Sequence, residues 1–245
     1  MSTETVARRV LGALRPTDAV TGVRILAPLR VTAPGVRVVR NLSGMYVVTG
    51  APGLLGQTES TEAPDWDPAD PQPVEFTVAD PAGVYLARRF ILRLPRDPDP
   101  ANAAGADSLF RPGELRMFPS PVAPVSPQWA VVRASVPGAQ EGTVSAGALI
   151  RVVRADDGVL LAAGLADARG EALVAVPGIP VTTWAPVQQG NVIATSVDAE
   201  LEVVWDGAAA GHFPDPDDLE RRRALLTVST TPVTLATGQV LTRTL

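Results

Sequence analysis

Short runs in which apolar and polar positions alternate, broken by Gly, Pro or Asn, recur along most of the chain, and this period of two predicts strands. The clearest case is residues 146–179, AGALIRVVRADDGVLLAAGLADARGEALVAVPGI, where two glycine turns break the alternation. Asp156-Asp157-Gly158 and Ala168-Arg169-Gly170 have the form of hairpin turns in which glycine supplies the positive φ. Such a segment describes a compact β-sandwich rather than a catalytic centre.

The same reading extends in both directions. GVRILAPLRVTA, GVRVVRNL, GMYVVTGA, PVEFTVAD and VYLARRFILRLP predict a first β domain over 20–96, with the acidic, proline-rich stretch 57–73 as an exposed loop inside it. Residues 97–114, dense in Pro, Asp and Ala, read as a linker. LRMFPSP, QWAVVRASV, ALIRVVRA, VLLAAGLAD, EALVAVPG and AELEVVWD then predict a second β domain over 115–206. At the start, Val6, Val10, Leu11 and Leu14 fall at helical spacing before Pro16, which predicts a helix within 1–19 that either braces its own domain or docks on a partner. In 207–245, Asp215, Asp217 and Asp218 ahead of LERRRALL predict a second short helix. Two strand-like pieces follow, readable as the last strands of their own domain or as an arm donated to a neighbour. The expected fold class is therefore mainly β: two Ig-like or transthyretin-like β-sandwich domains with short terminal helices.

Composition supports this and narrows the chemistry. The 24 prolines and 21 glycines interrupt helices and mark turns, while 46% hydrophobic residues suffice for a core. A net charge of −5 with dispersed arginines argues against nucleic acid as a partner. No run is long and apolar enough for a membrane span, and the charged start does not read as a signal peptide, so the expected location is cytoplasmic. The Asn41-Leu42-Ser43 sequon has no other sign of a secretory route beside it.

One histidine, His212, no cysteine and no lysine remove most of the usual nucleophiles, bases and metal ligands, and no phosphate-loop, nucleophile-elbow or zinc motif occurs. Asp65, Asp67 and Asp70 have oxygen-ligand character but lack the spacing of a calcium loop. The sequence therefore predicts no enzyme, no cofactor and no metal. Of the four tryptophans, Trp129, Trp184 and Trp205 fall in or beside predicted strands, which leaves Trp66, in the acidic loop, as the candidate exposed contact. The expected partner-binding residues are Val6, Val10, Leu14 and Trp66.

Gly147-Ala148-Leu149-Ile150-Arg151-Val152, then Ala166-Asp167-Ala168-Arg169-Gly170-Glu171-Ala172-Leu173, then Val176-Pro177-Gly178 resemble the pattern of the carboxypeptidase regulatory-like (transthyretin-like) domain. Ala166 and Leu173 stand where that family has threonine and an aromatic residue. The resemblance implies a non-catalytic spacer. The wider layout, with NLSGMYVV, GVYLARRFILRLPRDP and LRMFPSPVAP before the spacer, is similar to small accessory proteins of phage-tail-like contractile injection systems. That likeness implies a structural subunit at the cap or baseplate end, partnered by other subunits of a large assembly. A free β-sandwich module binding a carbohydrate or a surface protein is the alternative.

Overall fold

The computed structural model describes residues 9–54, 70–138, 140–179, 184–185, 192–193, 196–209 and 213–245. They are mainly β, consistent with the sandwich class. The chain divides into two compact units: Met1–Thr17, Val23–Pro81 and Arg89–Arg116 in the first, and Asp18–Gly22, Ala82–Arg88 and Met117–Leu245 in the second.

The first unit is built from β1 (Gly12–Asp18), β2 (Arg30–Thr32), β3 (Arg37–Arg40), β4 (Tyr46–Gly50), β5 (Gln72–Ala79), β6 (Arg88–Leu94) and β7 (Gly113–Met117). They form one sheet of order β3-β4-β1-β7 and another of order β2-β5-β6. Alternation decides what is buried: Leu14, Tyr46, Val48, Phe76, Val78, Leu92, Leu94 and Leu115 fill the core, while intervening residues such as Ile91 and Arg93 face out.

Three expectations are corrected here. Residues 12–14 are strand, not the end of a helix: β1 runs antiparallel to β4 with Leu14 opposite Tyr46, so sheet pairing overrides the helical spacing. A Cβ on Gly12 would come within 2.7 Å of Leu94 Cδ2, so glycine lets the strand lie close over the core. Residues 97–114 are not a linker, because they lie within the first unit and end in β7. Arg96 anchors them, its Nε donating to the Ser108 carbonyl at 3.0 Å and its Nη2 to that of Ala106. Asp97 and Asp99 accept from the backbone N–H groups of Asp99 and Ala101 at 2.9 and 2.8 Å, so their carboxylates build turns. Residues 22–33 form a strand only at Arg30–Thr32. Ahead of it, the buried Tyr46 hydroxyl takes the Leu29 N–H at 2.5 Å and donates to the Leu29 carbonyl at 2.8 Å, in place of a ladder.

The second unit contains β8 (Ala130–Ser135), β9 (Leu149–Arg154), β10 (Leu160–Leu165), β11 (Glu171–Val176), the short pair β12 (Trp184–Ala185) and β13 (Val192–Ile193), and β14 (Ser196–Trp205). Helix α1 (Pro216–Arg222), β15 (Thr227–Ala236) and β16 (Val240–Thr244) complete it. Its main sheets have the orders β10-β9-β14-β15 and β11-β8-β16, with β16 parallel to β8. Val132, Ile150, Val152, Val174, Leu201 and Leu235 pack between them.

Both outer faces are partly covered as well. Leu149, Leu165 and Val204 meet Phe118 and Leu219, and Val131 and Leu173 meet Ala123. Double-sided burial explains why β9 and β11 are buried at five of their six positions, where alternation predicts a single buried face. Gly158 and Gly170 have the expected positive φ, 71° and 76°, but only Gly158 closes a hairpin, between β9 and β10. The turn at Gly170 carries the chain from one sheet to the other, with an isolated bridge between Ala166 and Ala172. The C-terminal pieces pair along β14 and β8 of their own unit, so they are its last strands and not a donated arm.

Candidate functional site

The acidic residues near the C-terminus form a clamp in the second unit. Arg88 is fully buried, 3.3 Å from Asp215 and bonded also to Asp217. Asp215 caps α1 by accepting from the N–H groups of Asp217 and Asp218 at 3.1 and 3.3 Å. Burial pushes the Asp215 carboxyl above the usual carboxylate range, against the pull of Arg88. On the sheet beneath, Arg151 and Glu202 are directly opposite across β9 and β14 and form an ion pair. Glu220 from α1 approaches Arg151 Nε at 2.9 Å, and Arg223 reaches Glu202 at 3.1 Å. Arg222 joins Asp206 at 2.7 Å, which holds the Asp206 carboxyl below its ordinary range. These carboxylates are engaged by arginines and backbone N–H groups, an arrangement that fixes a helix on a sheet. His212, Asp65, Asp67, Trp66 and Val6 lie outside the described residues.

Elsewhere in this unit, a cavity of about 540 Å³ opens beside Arg154, Asp156 and Asp198. Two of its polar groups have local partners: Thr234 Oγ1 donates to Asp198 at 2.7 Å and Arg154 pairs with Asp157 at 2.9 Å.

The first unit has surfaces of another kind. Val23 and Leu26 are 65% exposed and Leu42 is fully exposed, on two loops that touch one another. Arg24 Nη1 donates to the Ser43 carbonyl at 3.2 Å and Arg40 Nη2 to the Leu26 carbonyl, tying the 23–29 loop to the β3–β4 turn. In that turn Asn41 Oδ1 accepts from Ser43 Oγ and the Met45 N–H, both at 2.9 Å. Gly44 has φ +80°, and a Cβ there would lie 3.3 Å from Leu26 Cδ2, so the close approach of the loops requires glycine. Residues 19–58 contain four arginines and no carboxylate, which makes the patch apolar and basic together.

A groove of about 620 Å³ also opens in the first unit, lined by Arg15, Arg93, Arg96 and Arg111 with the carboxylates Asp107 and Glu114. Ile91 and Phe110 add exposed apolar surface. Arg15 of β1 stands 3.9 Å from Glu114 of β7, a loose ion pair, and its Nε is buried without a hydrogen-bond partner. Burial lowers the affinity of the Arg96 guanidinium for its proton; Asp107 opposes this and Arg111 adds to it.

Of the expected contact residues, Leu14 is completely buried in the first core and cannot meet a partner, whereas Val10 is 39% exposed. The patch and the groove were not among the expected sites. The one signal available for the patch was the carboxylate-free run 19–58; the groove joins residues from β1, β6, the 97–112 loop and β7, which no local pattern connects.

Among the described residues no helix is long and apolar enough to cross a membrane. No protein-family model matches the chain, and no curated protein does. Among solved structures it is similar to the Bacillus anthracis TIE protein, with 10% identity and a TM-score of 0.27, over 96% of this chain and 33% of that one. The chain thus spans about a third of that protein's length.

Proposed function

We propose that this chain is a non-enzymatic structural subunit of a larger particle, most concretely at the cap or baseplate end of a phage-tail-like contractile injection system. Its second unit then serves as a spacer of the carboxypeptidase regulatory-like kind, and its first unit carries contacts to neighbouring subunits.

The observation that carries this reading is the patch of Val23, Leu26 and Leu42. Fully burying an aliphatic side chain of this size is worth about 1.5–3 kcal/mol, and exposed apolar clusters on a folded domain mark contact surfaces. Hydrogen bonds from Arg24 and Arg40 already fix the loops, so little conformational entropy is lost when a partner covers them. The spacer role draws support from the sandwich and from the motif that Gly147–Val152 and Ala166–Leu173 share with that family.

Sedimentation of native lysate from the source organism, followed by electron microscopy and mass spectrometry of the pellet, tests it. The chain is expected in a megadalton tubular particle. Recovery only as a small soluble species overturns the reading in favour of a free binding module. The double variant Leu26→Ser with Leu42→Ser is expected to leave the particle while its purified form melts at the parental temperature, because both positions are exposed.

A further inference from the structure

We infer that the groove of Arg15, Arg93, Arg96 and Arg111 binds an extended peptide segment in which carboxylate side chains alternate with aliphatic ones. The inference does not depend on which particle, if any, contains the chain.

The groove has the size of a ligand site, about 620 Å³, and its charge is unbalanced, four guanidiniums against two carboxylates. Two of the guanidiniums already donate to neutral carbonyls: Arg96 to Ser108 and Ala106, and Arg111 to Ala104 at 2.8 Å. Their charge is therefore not neutralised by those bonds. The Arg15 side chain is 40% exposed and stands 3.9 Å from Glu114, so a carboxylate entering beside the exposed part of its guanidinium can replace this loose pairing with a charge-assisted hydrogen bond. Guanidinium groups fit planar carboxylates in two-point fashion, which favours acidic side chains as the ligand.

Asp107 and Glu114 make the groove mixed in charge and so disfavour a densely charged ligand. A compact polyanion is repelled by both carboxylates along with its attraction to the arginines, whereas a ligand of lower charge density, with neutral residues among its carboxylates, is repelled less. Phe110, 57% exposed, and Ile91, 44% exposed, offer apolar contact to the aliphatic residues in between. Period-two alternation places acids on one side of an extended strand and aliphatics on the other.

The test is fluorescence anisotropy of the full chain with a fluorescein-labelled Val-Glu-Val-Glu-Val-Glu peptide and its Val-Gln counterpart. The Glu peptide is expected to bind and to weaken as salt is raised, and the Gln peptide is expected not to bind. Arg15→Gln with Arg93→Gln should weaken binding about tenfold or more, the scale of one lost charge-assisted contact. Arg169→Gln, at an exposed arginine paired with Asp167 in the second unit, should leave it unchanged. Phe110→Ala, an exposed change that spares the fold, should also weaken the peptide and covers the case in which the double arginine variant unfolds. Absence of binding, equal binding of the Gln peptide, equal loss in Arg169→Gln, or displacement by millimolar inorganic phosphate would each overturn the inference.

Discussion

At the scale of single residues, arginine does most of the polar work, and its context decides which work that is. In the second unit, Arg88, Arg151, Arg222 and Arg223 meet carboxylates; in the first, Arg24, Arg40, Arg96 and Arg111 donate to carbonyls, bonds that leave their charge in place. Asp206 gives a measurable consequence. Arg222 and the Ala208 N–H lower its folded carboxyl below the ordinary value of 3.8, so the contact adds stability above that pH and loses it as pH falls through the folded value. Asp206→Asn is therefore expected to be less stable than the parent at neutral pH, with the difference closing as the solution is acidified below 3.8. Chemical denaturation at a series of pH values checks this; a constant difference across the series contradicts the assignment.

At the scale of elements, α1 shows how a short helix is kept. Seven residues are too few to be helical alone in water, and this helix survives through its Asp215 cap, Leu219 on the sheet and the clamp of Arg88, Arg151 and Arg223. Arg88 is the critical member, since removing it leaves Asp215 buried without its counter-charge. Arg88→Met is expected to cost about 3–5 kcal/mol in urea unfolding. The double variant with Asp215→Asn should cost less than the sum of the two single changes, because the asparagine keeps a cap and leaves no charge stranded. Additive effects would mean that the pair is not coupled.

At the scale of the whole molecule, the path of the chain matters more than its apparent boundaries. Asp18–Gly22 and Ala82–Arg88 belong to the second unit, although each is flanked in sequence by the first. Ala19 and Leu86 pack on the Phe118, Leu149 and Leu219 cluster, and Arg88 neutralises Asp215. A fragment of residues 115–245 is thus expected to melt well below the full chain and to bind a hydrophobic dye, measured by calorimetry and dye fluorescence; an unchanged melting temperature would show that the earlier segments contribute nothing. By itself, the sequence determined the β class, most strands of the second unit, the turns at Gly158 and Gly170 and the capped helix after Asp215, because each is written in a local period, a glycine or a cap. Only the tertiary structure decided that Gly12–Asp18 pairs as a strand, that 97–114 folds into the first unit, and that Leu14 is core while Leu26 and Leu42 are surface. The patch and the arginine groove belong to this second class, since both depend on which distant backbones come together, and burial and pairing between such segments outweigh the short-range preferences that a sequence displays.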